Sequence, residues 1–426
     1  MYEKKTLPNG VRILTEHVPG VRSVSLGIWV GTGSRHESAG ENGAAHFIEH
    51  MLFKGTRSRT AAQLAEEMDA VGGQINAFTT KECTCFYARV LDTHLARAAD
   101  ILCDMFFHSR FDDADVETER GVILEEIGMY EDNPEDLCAE RLAGAVFKGS
   151  PLARPILGRK ATLDKMDGAW LRAYQRAHYR PDRIVVALAG SFTDADAAEL
   201  AGRFAGLEAR PHTAARAAAY VPGVVVKKKA IEQNHLTLAF PGLPYGDSRR
   251  FALQLLSSIL GSGMSSRLWQ QVRERRGLCY SIYTFTTPHL DTGLMSIYTG
   301  LGEETERQAL ERILQELHRF CEDGRLSVIT LDAEVEKKIV ASLTKNDQGV
   351  YLALGPDLMQ KLLSQLNEHI KKFSELSQKP ILLTSHIIRI YLSRLLEQFY
   401  PDLTVLSFNE VITSVQIQAL GNITLS

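Results

Sequence analysis

The sequence predicts an α+β protein: two related α+β domains, the second truncated, followed by a small α/β segment. Three observations carry that expectation. Strand-like apolar runs alternate with helix-like periodic stretches through the first two hundred residues. After a Pro/Ala/Val-rich stretch at 217–224 the same succession starts again. Near Ser327 the composition breaks: 29 Arg and 10 Lys precede it with every Cys and Trp, whereas 2 Arg and 7 Lys follow it. The expected domains are therefore 1–215, 216–327 and 328–426. The 426 residues leave each of the two larger domains enough chain for its own core.

In chain order, Pro8-Asn9-Gly10 signals a hairpin, followed by an apolar strand over Ser23–Val30 and a turn at Gly31 and Gly33. Ala61–Val71 has helical periodicity and stops at Gly72-Gly73, a C-cap pair. Strands are expected over Gln74–Thr79 and Cys83–Leu91, with Cys83 and Cys85 on one face as core residues. Helices over His94–Phe107 and Ala114–Tyr130 precede a strand at Arg183–Ala189. The restart reads as strand His235–Phe240, helix Arg250–Leu260 and, later, helix Glu304–Asp323.

Lys+Arg 48 against Asp+Glu 52 gives a net charge of −4, too balanced for a nucleic-acid wrapper or a polybasic membrane binder. The N-terminus lacks the apolar core of a secretory signal. No stretch reaches the roughly 18 apolar residues of a membrane span. Six cysteines with no C-x-x-C pair fit a reducing compartment, so a cytoplasmic location is expected.

The chemistry concentrates in His46-Phe47-Ile48-Glu49-His50. At about 100° per residue, His46 and His50 lie about 40° apart on one helical face, and Glu49 about 60° to the other side of His46. Two imidazoles one turn apart can hold zinc at about 2.0–2.1 Å, and a carboxylate beside them can take a proton from an attacking water. The order H-x-x-E-H is the inverzincin signature. A catalytic zinc needs a third protein ligand. Among Glu117, Glu119, Glu125 and Glu126, the residues Glu119 and Glu126 are seven apart and share a helical face, while Glu125 points about 100° from Glu126. This spacing offers one ligand and one supporting carboxylate.

The segment Gly43–Thr56 resembles the pitrilysin-type (M16) metallopeptidases, the family of insulin-degrading enzyme and mitochondrial processing peptidase. Further matches are Gly72–Thr79, Glu119-Arg120-Gly121-Val122-Ile123 and His178-Tyr179-Arg180-Pro181. The resemblance implies a zinc-dependent endopeptidase whose third ligand stands 76 residues beyond His50, at Glu126, with Glu119 as the orienting carboxylate and Glu49 as the base. It also implies that Asn76, Ala77 and Phe78 form an edge strand that pairs with an extended substrate. The likeness continues through Leu260–Leu268 and Arg273–Ser281, where it gives Arg273 and Tyr280 the role of holding substrate. A guanidinium and a phenol can both donate to a peptide carbonyl and its developing oxyanion.

From about Val328 the chain instead resembles the cytosolic C-terminal end of the export-gate protein of flagellar and type III secretion systems. The residues concerned are Ile329–Asp332, Tyr351–Leu354, Pro380–Ser385 and Tyr400–Glu410, after which Val411-Ile412-Thr413 departs from the pattern. Helices are expected over Ala333–Leu343, Asp357–Leu376 and Ile387–Phe399, and strands over Ile381–Thr384 and Thr404–Phe408. The expected activity is zinc-dependent cleavage of peptides or unfolded, presequence-like segments, with Zn2+ as cofactor, in a homodimer or a heterodimer with a related subunit. Two rivals stand beside it: an inactive metal-binding subunit that supports an active partner, and a secretion-apparatus component that docks export proteins through its tail.

Overall fold

The apolar alternation that begins at Ser23 becomes the centre of a six-stranded sheet. A computed structural model describes residues 2–209, 217–317, 325–346, 349–376, 378–408, 411 and 416–425, with backbone alone at 345–346 and 349–350. Its strands are β1 (Glu3–Thr6), β2 (Arg12–His17), β3 (Ser23–Val30), β4 (Gln74–Thr79), β5 (Thr84–Leu91) and β6 (Ile184–Gly190). Their order is β1-β2-β6-β3-β5-β4, with β2 and β6 parallel and every other pair antiparallel. In β3, Val24, Leu26, Ile28 and Val30 are all buried, which ties the period-two pattern to the sheet core. Cys85 is buried within β5, but Cys83 lies in the turn before it and so does not share a strand face with it.

The helices of this region are α1 (Ala44–Leu52), α2 (Ala61–Asp69), α3 (Leu95–His108), α4 (Asp113–Asp132), α5 (Pro134–Val146), α6 (Lys160–Leu163), α7 (Gly168–His178) and α8 (Asp194–Phe204). The chain then forms β7 (Asn234–Pro241), α9 (Arg250–Gly261), β8 (Ser281–Pro288) and β9 (Gly293–Leu301). This second sheet has the antiparallel order β7-β9-β8. It repeats β3-β5-β4: a strand, a helical passage, then a hairpin whose second strand inserts in the middle. Counterparts of β1, β2 and β6 are missing from this sheet among the described residues.

The half-sheet packs on the first domain through Leu294 against Ala143, Val146, Phe147 and Leu152. On its far side Phe251, Leu255 and Ile259, spaced i, i+4, i+8 on α9, are 60%, 65% and 58% exposed. The corresponding helix α1 hides Phe47, Ile48, Met51 and Leu52 completely.

Residues 1–303 form one compact unit and 304–426 another. The second contains α10 (Glu306–Leu317), β10 (Arg325–Leu331), α11 (Ala333–Ala341), β11 (Leu343–Asn346), β12 (Gly349–Leu352), α12 (Pro356–Glu375), β13 (Ile381–Thr384), α13 (Arg389–Leu396), β14 (Thr404–Ser407) and β15 (Gln416–Ile423). Strands β14-β13-β10-β15 make a wholly parallel sheet. Helices pack on it through Val335, Leu362, Leu366 and Leu392, in keeping with a small α/β segment. The boundary expected near Ser327 falls inside β10. The 215/216 boundary, the end of the helix expected to reach Asp323, and Asn409, Glu410, Ile412 and Thr413 lie outside the described residues. Among the described residues no helix is long and apolar enough to cross a membrane.

Candidate metal centre

Helix α1 carries three polar side chains on an otherwise apolar body. Burial of Phe47, Ile48, Met51 and Leu52, each worth about 1.5–3 kcal/mol, anchors it firmly enough to hold His46, Glu49 and His50 on the remaining face. Its N-terminus is capped by Glu37, 2% exposed. Glu37 accepts from Gly43 N at 2.8 Å, Ala45 N at 2.9 Å and the Asn42 amide at 2.9 Å. Gly43 takes φ +100°, and a Cβ there would stand 2.9 Å from Leu157 O and Gly158 Cα, so only glycine fits the entry to this helix.

Helix α4 crosses α1 and brings its acidic face to the imidazoles. Glu126 Oε2 lies 3.5 Å from His46 Nε2 and 3.6 Å from His50 Nε2. Donors at about 2.1 Å around a tetrahedral zinc stand about 3.4 Å apart, so this spacing fits the ion. Glu126 Oε2 is buried without a hydrogen-bond partner, the mark of an acceptor that awaits a cation. Among the described residues, His46, His50 and Glu126 form a group whose ligand atoms lie close enough together that they could hold a metal ion. Glu125 is exposed, as its angle on the helix requires.

The second carboxylate of α4 supports the first. Glu119, 4% exposed, accepts from His50 Nδ1 at 2.9 Å and from Lys54 Nζ at 2.5 Å. A proton held on Nδ1 leaves the Nε2 lone pair of His50 for a metal. Burial, reinforced by the neighbouring His50, pushes His46 down to about 4, so it is a neutral nitrogen donor. Burial also opposes charge on His50, but Glu126 and Glu119 outweigh it and raise its pKa. The nearby His50 imidazole leads the effects that hold the Glu126 carboxyl below its usual range.

Glu49 stands on the same helix and accepts a 2.5 Å hydrogen bond at Oε2 from Thr79 Oγ1. Burial raises its pKa, partly offset by Thr79 and His50. Thr79 ends β4, the open edge of the six-stranded sheet. Asn76, Ala77 and Phe78 lie along this edge; Phe78 is 38% exposed and meets Trp29 edge to face at 5.4 Å.

Arg273 and Tyr280 lie together but apart from this cluster. Arg273 Nε donates to Tyr280 O at 2.7 Å, its guanidinium lies 4.1 Å from the Trp269 ring centroid, and Tyr280 is 74% exposed. No hydrogen bond or ion pair among the described residues ties either one to His46, His50, Glu49 or Glu126. Sequence spacing did not reveal the roles of Thr79, Lys54 and Glu37. Thr79 closes the Gly72–Thr79 motif, but that it reaches Glu49, thirty residues earlier, follows from the packing of β4 on α1.

Comparison with known proteins agrees with this geometry. Residues 12–160 match the family model described as insulinase (peptidase family M16), and 166–337 match the peptidase M16 inactive domain. Residues 299–416 match the FHIPEP family. A Bacillus subtilis protein named uncharacterized zinc protease YmxG is 44% identical over 325 residues, 76% of this chain and 80% of its own length. An uncharacterized zinc protease of Streptomyces coelicolor is 43% identical over 331 residues, covering 75% and 72%. Among solved structures, a protease from Helicobacter pylori superposes with a TM-score of 0.68 at 18% identity, over 89% of this chain and 90% of that one. A peptidase M16 inactive domain from Pseudomonas fluorescens gives 0.69 at 18%, over 100% and 98%.

Proposed function

Because the chain belongs to the insulinase family of peptidases, M16, we propose that it is a zinc-dependent endopeptidase of the inverzincin type that cleaves peptides or unfolded, presequence-like segments. The observation that carries this reading is the convergence of two imidazole nitrogens and an unpartnered carboxylate oxygen, with Glu49 beside them. His46, His50 and Glu126 would hold the ion. Zinc, when bound, would polarise the scissile carbonyl and lower the pKa of a water toward about 7.

The chain's own residues do the rest. Thr79 holds Glu49 Oε2, which leaves Oε1 to take the proton of the attacking water and return it to the departing amine. Glu119 keeps the proton of His50 on Nδ1. The open edge of β4 pairs with the substrate main chain, which tolerates many sequences because every peptide offers the same groups. Arg273 and Tyr280 donate to a substrate carbonyl. The reading includes a cytoplasmic location and the division into a zinc domain at 1–215, a partial second domain at 216–327 and an export-gate-like tail at 328–426. The test is zinc quantitation alongside cleavage of an unstructured peptide library, with and without chelator. Zinc-free protein, or cleavage indifferent to chelator, would overturn it.

Tyr280→Phe deletes one donor and little volume. It is expected to lower kcat/KM by about 10- to 100-fold with zinc retained, as measured by steady-state kinetics and metal analysis. Loss of zinc would instead show that Tyr280 supports the metal site rather than the substrate.

All three proposed ligands lie before residue 127, within the first unit. A chain ending at Glu303 is therefore expected to keep one zinc, measured by atomic emission. That cut is cleaner than one after Ser327, which would divide β10. The exposed α9 stripe favours one second reading, an inactive metal-binding subunit that supports an active, related partner chain. Stoichiometric zinc with no cleavage by the chain alone would favour it. Copurification of export proteins through the tail alone would favour the docking role instead.

A further inference from the structure

The turn between β4 and β5, which follows Thr79, is gripped from two sides. On one side, Gly33 approaches so closely that a Cβ there would stand 2.2 Å from Thr80 O, and Arg35 N donates to Lys81 O at 2.8 Å. On the other, the β8–β9 turn of the half-sheet reaches the same place. Leu290 N donates to both carboxylate oxygens of Glu82 at 3.1 Å, and His289 Nδ1 lies 3.6 Å from Glu82 Oε2.

Arg35 joins the two sides. Its side chain is 2% exposed. Nη1 donates to Glu82 Oε1 at 2.5 Å and to Asp291 Oδ1 at 2.7 Å, while Nη2 donates to Asp291 Oδ2 at 2.5 Å. Asp291 Oδ2 also accepts from Ala218 N at 3.0 Å.

A buried ion cluster is weak evidence for stability, since apolar packing of the same volume often does as well. Its distinctive property is direction: a planar guanidinium shared by two carboxylates admits one arrangement of the turns that carry them. We propose that Arg35, Glu82 and Asp291 are positioning residues. They lock the β8–β9 turn onto the β4–β5 turn, and so hold the substrate-pairing strand β4, and through Thr79 the base Glu49, in register with the domain that carries Arg273 and Tyr280. This rests on the peptidase reading above. The grip matters more here because, among the described residues, the β7-β9-β8 sheet has three strands where the first domain has six.

The experiment compares full-length Asp291→Asn and Glu82→Gln with wild type by zinc content, hydrogen exchange over residues 74–83, and kcat and KM on an unstructured peptide. Both variants are expected to keep one zinc, to exchange about tenfold faster over 74–83 with α1 unchanged, and to lose about tenfold in kcat per zinc with a smaller change in KM. The loss from Glu82→Gln should not add to that from Thr79→Val, since both act through the hold on Glu49. Unchanged exchange in both variants, or additive losses with only a lowered Tm, would overturn the proposal. If Glu82→Gln does not fold, Asp291→Asn still decides, because it leaves the Arg35–Glu82 pair in place. A wild-type chain that holds zinc but cleaves nothing would sink the peptidase reading, while exchange over 74–83 would still decide whether the grip exists.

Discussion

Glu49→Gln should leave zinc bound and lower turnover by about 10²- to 10⁴-fold, the range for loss of a general base. The amide keeps the shape of the side chain and can still accept from Thr79, so α1 and its imidazoles stay in place. What disappears is the capacity to take a proton. Burial already lifts the pKa of the Glu49 carboxyl, which makes it a better proton acceptor than an exposed carboxylate. Kinetics normalised to zinc content reads the effect. Near-normal cleavage by this variant would remove Glu49 from the mechanism, and loss of zinc would show that it supports the metal site rather than the chemistry.

Replacement of Glu126 should release the metal, and Glu125→Gln should not. Among the described residues Glu126 Oε2 is the one carboxylate oxygen set within 3.6 Å of both imidazole Nε2 atoms, and the two histidines alone would leave an ion under-coordinated. The neighbouring Glu125 is turned to solvent. Glu126→Gln should weaken zinc by more than the roughly 10- to 100-fold that removal of a supporting residue costs, whereas Glu119→Gln should fall within that range. Competition with a fluorescent chelator orders the three variants. Equal weakening by Glu125→Gln and Glu126→Gln would overturn the assignment by helix face.

Sequence by itself determined the parts of this protein that depend on local periodicity. The H-x-x-E-H order settles which side chains share a face of α1, and the seven-residue interval settles that Glu119 and Glu126 share a face of α4, because helix geometry is the same wherever the helix lies. The strand patterns at Ser23–Val30 and Gln74–Thr79 and the helix at Arg250–Gly261 were legible for the same reason. The restart after residue 217 pointed to two related domains, and the structure adds that β7-β9-β8 repeats the order β3-β5-β4. Strands β10 and β15 were not foreseen; they are recognised by the parallel neighbours they pair with.

Tertiary structure alone decided which of those faces meet. That Thr79 reaches Glu49, that Lys54 shares Glu119 with His50, and that Glu37 caps α1 are contacts between residues whose separation in sequence carries no period. Arg35 shows the difference most clearly. In the sequence it is one of 31 arginines; in the fold it is buried between Glu82 and Asp291, carboxylates 47 and 256 residues away. Desolvation makes such a charge costly unless both partners are present. That dependence is set by the packing of two sheets, and no local pattern records it.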